Sequence, residues 1–155
     1  MENAVFAAGC FWGVEAAYQK IEGVTKTEVG YAGGHVDQPT YKQVCTGQTG
    51  HAEVVLIEFD PKIVSYEKLL EVFWKLHDPT QLNRQGVDVG TQYRSEIFTT
   101  DDIQVTTANE NIKKAQSDFT KPIVTKVSSL TNYFAAEEYH QKYFEKNPGS
   151  GCLLN

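Results

Sequence analysis

Apolar and polar positions alternate along the first half of the chain in a way that predicts strands and a helix. The segment Asn3 to Ala8 is short and apolar, as is typical of a buried strand. From about Phe11 to Glu22, apolar residues stand three and four positions apart, which predicts an amphipathic helix that ends at Gly23. A second strand is expected from Thr25 to Tyr31, and the glycines after it predict a long loop to about Gly50.

The segment Ala52 to Asp60 is the clearest strand. Alternate residues from Val55 to Phe59 fall on one face, because side chains in a strand alternate with a period of two. Val54 and Leu56 fall on the other face. Since both faces are apolar, we expect this strand in the middle of a sheet.

The second half of the chain continues the mixture of helices and strands. The expected elements are a helix from Ser65 to His77, an irregular segment from Thr80 to Gln92, a strand from Tyr93 to Phe98, a helix from Asp102 to Phe119, a strand from Pro122 to Val127, a short helix from Ala136 to Glu145 and a mobile tail from about Asn147. This order predicts an α+β fold, in which helices cover a mostly antiparallel or mixed sheet. With 155 residues and no repeat or linker, we expect one domain over residues 1–155.

Charge and hydropathy narrow the range of partners and locations. A formal net charge of −6 argues against nucleic acid or an anionic membrane as the main partner. No secretory signal is visible, and no apolar run is long enough to cross a bilayer. We therefore expect a cytoplasmic protein.

The three cysteines, Cys10, Cys45 and Cys152, stand far apart and form no CxxC pair, so no zinc site or disulfide framework is predicted. Cys10 is the candidate nucleophile because it stands where the first strand turns into a helix. Backbone N–H groups and the helix dipole there favour a thiolate; an inert buried cysteine is the alternative. Cys152 follows a glycine-rich stretch and either reaches an oxidised Cys10 to form a disulfide or has no role.

Several polar residues are candidates for a second chemical group. Glu53 shares the apolar face of the central strand, so burial would raise its pKa and make it a general acid; otherwise it is solvated or paired with Arg94. Tyr41 and Tyr93 lie in or beside glycine-rich loops, where a phenol can donate a hydrogen bond to a ligand, or they are packing residues. Asp88 either orients a catalytic group or makes an Asx-turn.

His51 supports a different hypothesis. A Cys10–His51 pair would form the nucleophile of an acyl transferase or hydrolase. The sequence has no HExxH or comparable metal spacing and no phosphate-binding GxxxxGK[ST] loop. Phe11 and Trp12, beside the candidate nucleophile, are either core residues or the apolar wall of a binding site.

Six short motifs occur in order along nearly the whole chain. They are Gly9-Cys10-Phe11-Trp12-Gly13, Gly30-Tyr31-Ala32-Gly33-Gly34, Pro39-Thr40-Tyr41, Thr49-Gly50-His51-Ala52-Glu53, His77-Asp78-Pro79-Thr80 and Asp88-Val89-Gly90-Thr91-Gln92-Tyr93-Arg94-Ser95. Together they resemble the motifs of methionine sulfoxide reductase A, the peptide-methionine (S)-S-oxide reductase family. The resemblance implies a two-layer α/β sandwich with a mixed sheet and a ferredoxin-like core.

The resemblance also implies a reaction and roles for five residues. The expected activity is thiol-dependent reduction of methionine S-sulfoxide, free or in proteins. Cys10 would attack the sulfoxide sulfur, and Glu53 would protonate the sulfoxide oxygen. Tyr41 and Tyr93 would bond to that oxygen, and Asp88 would support the site.

The remaining implications concern substrate binding and recycling. Phe11 and Trp12 would hold the methyl group of the substrate. Cys152 would resolve the Cys10 sulfenic acid as a disulfide, with Cys45 as the rival resolver, and thioredoxin would reduce that disulfide. No metal or organic cofactor is expected, and the protein is expected to be a monomer.

A non-catalytic module that binds methionine side chains is a third hypothesis.

Overall fold

The structure of the protein is a computed structural model, which describes residues 1–148. The strands are β1 (Glu2–Ala8), β2 (Val24–Ala32), β3 (Ala52–Phe59), β4 (Arg84–Gln85), β5 (Asp88–Val89), β6 (Ser95–Thr99), β7 (Lys126–Ser129) and β8 (Tyr133–Ala135). The α-helices are α1 (Phe11–Gln19), α2 (Tyr41–Cys45), α3 (Tyr66–Leu76), α4 (Asp102–Ala115) and α5 (Tyr143–Lys146). Residues 149–155, which include most of the expected tail, lie outside the described residues.

Six strands form one sheet, in the order β7-β6-β1-β3-β2-β8. Neighbouring strands are antiparallel except for β6 and β7, which are parallel, so the sheet is mixed as the sequence predicts. β1 and β3 occupy its centre, which explains why both are apolar on two faces. The central position predicted for β3 is therefore confirmed.

The two faces of the sheet belong to separate apolar clusters. On one face, alternate residues of β1 and β3, among them Phe6 and Ile57, pack with α1, α3 and α4. On the other face, Val5 and Val54 form a smaller cluster, which the segment near Leu130 covers. The helices thus form one layer and the sheet the other. Because α1 belongs to the helical layer, the residues of β3 on this face point toward α1, whose N-cap is Cys10.

Several predicted boundaries are wrong, and each has a local cause. The first helix ends at Gln19 rather than Glu22, because the chain turns at residues 20–23 before β2. The predicted loop to Gly50 contains α2, whose N-terminus is closed by a capping box between Thr40 and Gln43. A helix of five residues is too short to show a periodicity that sequence analysis could detect.

The C-terminal third differs most from its prediction. The expected strand over Pro122–Val127 begins only at Lys126, and the unpredicted β8 pairs with the edge of β2. The expected helix over Ala136–Glu145 is interrupted at Lys142, whose φ of 53° is left-handed. That interruption leaves a 3-10 turn at Glu138–His140 and the short helix α5.

Within residues 1–148, none of the helices combines the length and hydropathy that a membrane span requires.

Candidate active site

Cys10 lies between the last residue of β1 and the first residue of α1, as the sequence predicts. Gly9 makes the reversal between strand and helix, and its φ of 93° is one that residues with a Cβ rarely adopt. A Cβ at Gly9 would lie 2.9 Å from the Cβ of Gln85, so the β4–β5 hairpin packs directly against the residue before Cys10. The half-buried Cys10 therefore stands at a constrained turn between three elements.

We expect Gly9→Ala to destabilise the protein more than Gly47→Ala does. Both glycines have positive φ, which costs an L-residue about 1–2 kcal/mol. Only at Gly9 would the new Cβ also meet another side chain, because a Cβ at Gly47 would have no atom of residues 1–148 within 4 Å apart from its chain neighbours. Urea unfolding should show a loss of about 2–4 kcal/mol for Gly9→Ala and about 1 kcal/mol for Gly47→Ala. Equal losses would contradict tight packing of the hairpin on Gly9.

Glu53 is buried beside the N-terminus of the same helix. Its side chain is only 2% exposed, on the face of β3 that packs against the helices. The Phe11 N–H, the first of α1, donates a hydrogen bond to Oε1 at 3.1 Å. Oε2 is buried, and nothing in residues 1–148 bonds to it. The carboxyl is therefore fixed at one oxygen, while the other has no partner among these residues.

Burial raises the pKa of Glu53 to about 8, the bond from the Phe11 N–H opposes this rise, and the charge of Asp88 adds to it. Much of Glu53 is consequently protonated near neutral pH, with a proton available for transfer. The sequence-based expectation of a desolvated carboxyl is confirmed. The alternative pairing with Arg94 is wrong, because the Arg94 Nε bonds to Glu96 Oε1 at 2.7 Å.

Tyr41 and Tyr93 lie close enough to Glu53 for its charge to act on both phenols. Burial, and then this charge, raises the pKa of Tyr41 far above its usual value. The same two causes raise the pKa of Tyr93 to about 12, although a hydrogen bond with Tyr41 opposes the rise. Both hydroxyls therefore keep their protons at neutral pH and are suited to donate hydrogen bonds.

Asp88 lies on β5, in the hairpin that packs on Gly9, where it pairs with Gln85. Gln85 holds this hairpin in place, since its side chain accepts from the Asp78 N–H at 2.8 Å and donates to the Asp78 carbonyl at 3.0 Å. Asp88 is half-buried, and burial raises the pKa of its carboxyl. The hairpin thus brings a second acidic group near Glu53.

Phe11 and Trp12 form an aromatic wall at the start of α1. The Phe11 ring is fully buried, with its centroid 6.3 Å from that of Tyr41. Trp12 is half-buried and stacks on Tyr143, with centroids 3.8 Å apart and an interplanar angle of 8°. Its indole N–H donates to His140 Nδ1 at 2.9 Å. Phe11 is therefore part of the core as well as of the wall, whereas Trp12 is partly accessible.

The C-terminal segment supplies site residues that sequence analysis missed. Besides His140 and Tyr143, it contributes Glu137, which accepts from the Tyr31 hydroxyl and from the Tyr41 N–H, both at 2.9 Å. Although burial opposes ionisation, these bonds lower the pKa of Glu137. Glu137 therefore fixes the backbone of Tyr41, which is the first residue of α2. No motif or periodicity marks these residues, because their partners lie roughly a hundred positions away.

His51 has a structural role. It is 1% exposed, its Nδ1 accepts from the Gly34 N–H at 3.0 Å, and its Nε2 donates to the Val36 carbonyl at 2.7 Å. Because Nδ1 accepts, the proton is on Nε2, and both nitrogens serve to hold the loop after β2. Neither nitrogen is available as a base for Cys10, so the Cys–His hypothesis loses its general base.

Of the other two cysteines, Cys45 lies within the described residues and Cys152 does not. Cys45 is exposed at the end of α2. The sulfur is nevertheless partly shielded from solvent, which raises the pKa of the thiol, while a hydrogen bond with Tyr41 opposes the rise. Cys152, the expected resolving thiol, lies outside the described residues. Its role stays a prediction.

Comparisons of the whole chain with known proteins agree on one family. The family model described as "Peptide methionine sulfoxide reductase" matches residues 2–155. The chain is 55% identical to "Peptide methionine sulfoxide reductase MsrA" of Methanothermobacter thermautotrophicus, covering 99% of this chain and 92% of that protein. It is 58% identical to the protein of the same name from Pelagibacter ubique, covering 94% and 99%.

Solved structures show the same similarity. The reduced form of Mxr1 from Saccharomyces cerevisiae is 36% identical, with a TM-score of 0.94 over 97% of this chain and 88% of that chain. Mxr1 has also been solved in complex with Trx2.

Proposed function

Because the chain belongs to the peptide methionine sulfoxide reductase family, we propose that it reduces methionine S-sulfoxide, free or in proteins, to methionine. The observation that carries the proposal is the position of Glu53. A buried carboxyl with a pKa of about 8 bonds to the N–H of the residue that follows Cys10. A proton donor beside a nucleophilic sulfur is what sulfoxide reduction requires, since the sulfur is a poor electrophile until its oxygen is protonated.

In the proposed reaction the Cys10 thiolate attacks the sulfoxide sulfur while Glu53 gives its proton to the sulfoxide oxygen. The new bond between the two sulfurs and the sulfur–oxygen bond of the substrate then break as the hydroxyl passes to the Cys10 sulfur. Methionine leaves with two more electrons, and Cys10, having lost two, becomes a sulfenic acid. The α1 dipole and nearby N–H groups would stabilise the attacking thiolate.

The surrounding residues would bind the substrate. The Tyr41 and Tyr93 hydroxyls, kept protonated by their raised pKa values, would donate to the sulfoxide oxygen. Phe11 and Trp12 would contact the methyl group, and Asp88 would support the site by raising the pKa of Glu53. An apolar wall opposite a polar oxygen site distinguishes the two sulfoxide epimers, because exchanging their substituents places the oxygen against the wall.

The rest of the cycle would restore the thiol. The Cys152 thiol would attack the Cys10 sulfenic acid, releasing water and forming a disulfide, with Cys45 as the rival resolver. Thioredoxin is the proposed reductant, and the existence of an Mxr1–Trx2 complex supports it. No step of this cycle requires a metal or an organic cofactor.

Single-turnover reduction of methionine S-sulfoxide by the fully reduced protein, without added reductant, tests the proposal. One methionine formed and two thiols lost are expected for the wild type, with a trapped Cys10 sulfenic acid in Cys152→Ser. Absence of methionine would contradict the reductase activity and would favour a module that only binds methionine. A disulfide that forms during the turnover of Cys152→Ser would assign the resolving role to Cys45.

The rate of this single turnover should fall as the pH rises through about 8. Glu53 can donate its proton only while protonated, and its pKa is about 8, so the acid form is lost above that pH. Rapid-quench rates measured from about pH 6 to about pH 10 should show this falling limb in the wild type and not in Glu53→Gln. A wild-type rate that keeps rising over the whole range would mean that another group supplies the proton.

We also propose a ferredoxin-like description for the centre of the sheet. The antiparallel order β6-β1-β3-β2, with α1 between β1 and β2 and α3 between β3 and β6, supports it. We further propose that the chain is a single catalytic domain and a monomer. A cytoplasmic location is proposed because the cycle needs a supply of reduced thiols.

A further inference from the structure

Glu15 is a buried carboxyl of α1 that the proposed reaction does not use. It is 1% exposed, and both of its oxygens accept hydrogen bonds. Oε2 accepts from the Thr27 hydroxyl on β2 at 2.8 Å, and Oε1 accepts from the backbone N–H of Lys142 at 2.7 Å. The first bond joins α1 to the sheet beneath it. The second joins α1 to the C-terminal segment.

Lys142 is an unusual partner for such a bond. Its φ of 53° is left-handed, a conformation that is unfavourable for lysine. It is also the N-cap residue directly before α5, so its conformation sets the direction in which the next side chain, Tyr143, projects. A hydrogen bond to a buried carboxylate is strong enough to offset the unfavourable backbone. Glu15 therefore helps to hold the chain in this conformation.

Tyr143 is the residue that stacks on Trp12, with ring centroids 3.8 Å apart. Glu15 and Trp12 stand three positions apart on α1, so they lie on the same side of the helix. The Lys142 N–H bonds to Glu15 on this side of α1. The ring of the next residue, Tyr143, therefore lies over Trp12 on the same side. On the preceding side, Gln141 bonds to both the N–H and the carbonyl of Val29 at 2.9 Å, so the segment is fastened to the edge of β2 as well.

We propose that Glu15 is a positioning residue for substrate binding. By holding the Lys142 N–H, it keeps Tyr143 stacked on Trp12 and so fixes the indole that contacts the substrate methyl group. The proposal rests on the proposed function, because it takes Trp12 as part of the methyl-binding wall.

Three variants separate positioning from plain stability. Glu15→Ala removes both bonds. Glu15→Gln can keep both, since its amide oxygen can accept from Lys142 and its amide N–H can donate to Thr27. Thr27→Val removes only the bond to the sheet and serves as the matched control, because it leaves Lys142 held.

Steady-state kinetics with methionine S-sulfoxide and a small dithiol should give a distinct pattern. For Glu15→Ala we expect a KM raised about tenfold and a kcat within about twofold of the wild type, since binding and not chemistry is affected. Glu15→Gln should restore KM to within about twofold. Thr27→Val should lower the Tm and leave KM unchanged. Unchanged KM in Glu15→Ala, or an equal rise in Thr27→Val, would overturn the proposal.

Trp12 fluorescence gives a readout that does not depend on activity. Trp74, the other tryptophan, is bonded to Asn111 between α3 and α4, so a Trp74→Phe background isolates the signal of Trp12. In that background, Glu15→Ala should shift the emission of Trp12, and Thr27→Val should not. An unshifted spectrum in Glu15→Ala would overturn the proposal even if the wild type proved not to be a reductase.

If Glu15→Ala does not fold, Tyr143→Ala tests the same contact from the other side. Tyr143 is half-buried on the short helix α5, so its truncation should be tolerated. It should raise KM about as much as is expected for Glu15→Ala. A KM equal to that of the wild type would show that the stacking does not support binding, and the proposal would fail.

Discussion

Cys10→Ser should abolish the formation of methionine in a single turnover, with a rate at least about 10⁴-fold below that of the wild type. A serine hydroxyl does not ionise near neutral pH, and it cannot take up the sulfoxide oxygen to form a sulfenic acid. The measurement is the amount of methionine formed by the reduced protein against time, with excess methionine S-sulfoxide and no added reductant.

Cys45→Ser is the matched control for this prediction. Cys45 is exposed at the end of α2, and a serine there can keep the hydrogen bond with Tyr41, so its replacement should neither disturb the core nor slow the formation of the first methionine. If Cys45→Ser lost this step and Cys10→Ser kept it, the nucleophile would be Cys45. In that case the position of Cys10 at the start of α1 would have no catalytic meaning.

Glu53→Ala should slow the same step by about 10²- to 10⁴-fold, the range typical of losing a general acid. The alanine removes the carboxyl that bonds to the first N–H of α1, and with it the proposed acid for the sulfoxide oxygen. Glu53→Gln should keep more of the rate, because an amide N–H can still donate a hydrogen bond to that oxygen. The measurement is the single-turnover rate constant for both variants at about pH 7.

Glu96→Gln separates loss of an acid from disturbance of the sheet. Glu96 is also a buried carboxyl, but Arg94 and Ser128 occupy its oxygens at 2.7 Å and 2.6 Å, so it has no unpartnered oxygen to act from. Its replacement should lower the Tm and leave the rate constant unchanged. Equal rates in Glu53→Ala and Glu53→Gln would argue that Glu53 does not act through its proton or a hydrogen bond.

Local pattern was sufficient for the features that depend on neighbouring residues. Strand alternation placed Glu53 on the same face as Ile57, and that face is buried against the helices. The change from apolar strand to helical spacing placed Cys10 at the N-terminus of α1. The same approach failed for the predicted helix over Ala136–Glu145, because the left-handed Lys142 is held by a residue of α1.

The identity of each polar partner was a matter of tertiary structure. The sequence offered Arg94 as a partner for Glu53, but in the structure the Arg94 guanidinium bonds to Glu96 on β6 instead. His51 was a plausible base for Cys10, but the loop after β2 occupies both of its nitrogens. Residue type and spacing say what a side chain can bond to, and only the folded chain says which partner reaches it.

The sequence by itself determined β1, β3 and the start of α1, and with them the burial of the acid and the position of the nucleophile, because these follow from periodicities of two and 3.6 residues. Only the tertiary structure brought Glu53 to the Phe11 N–H across 42 positions, and the Trp12 indole to His140 across 128. Such contacts leave no local periodicity, since each is decided by how whole elements pack. The sequence therefore predicts the chemical groups, and the packing of α1 between the sheet and the C-terminal segment assembles them.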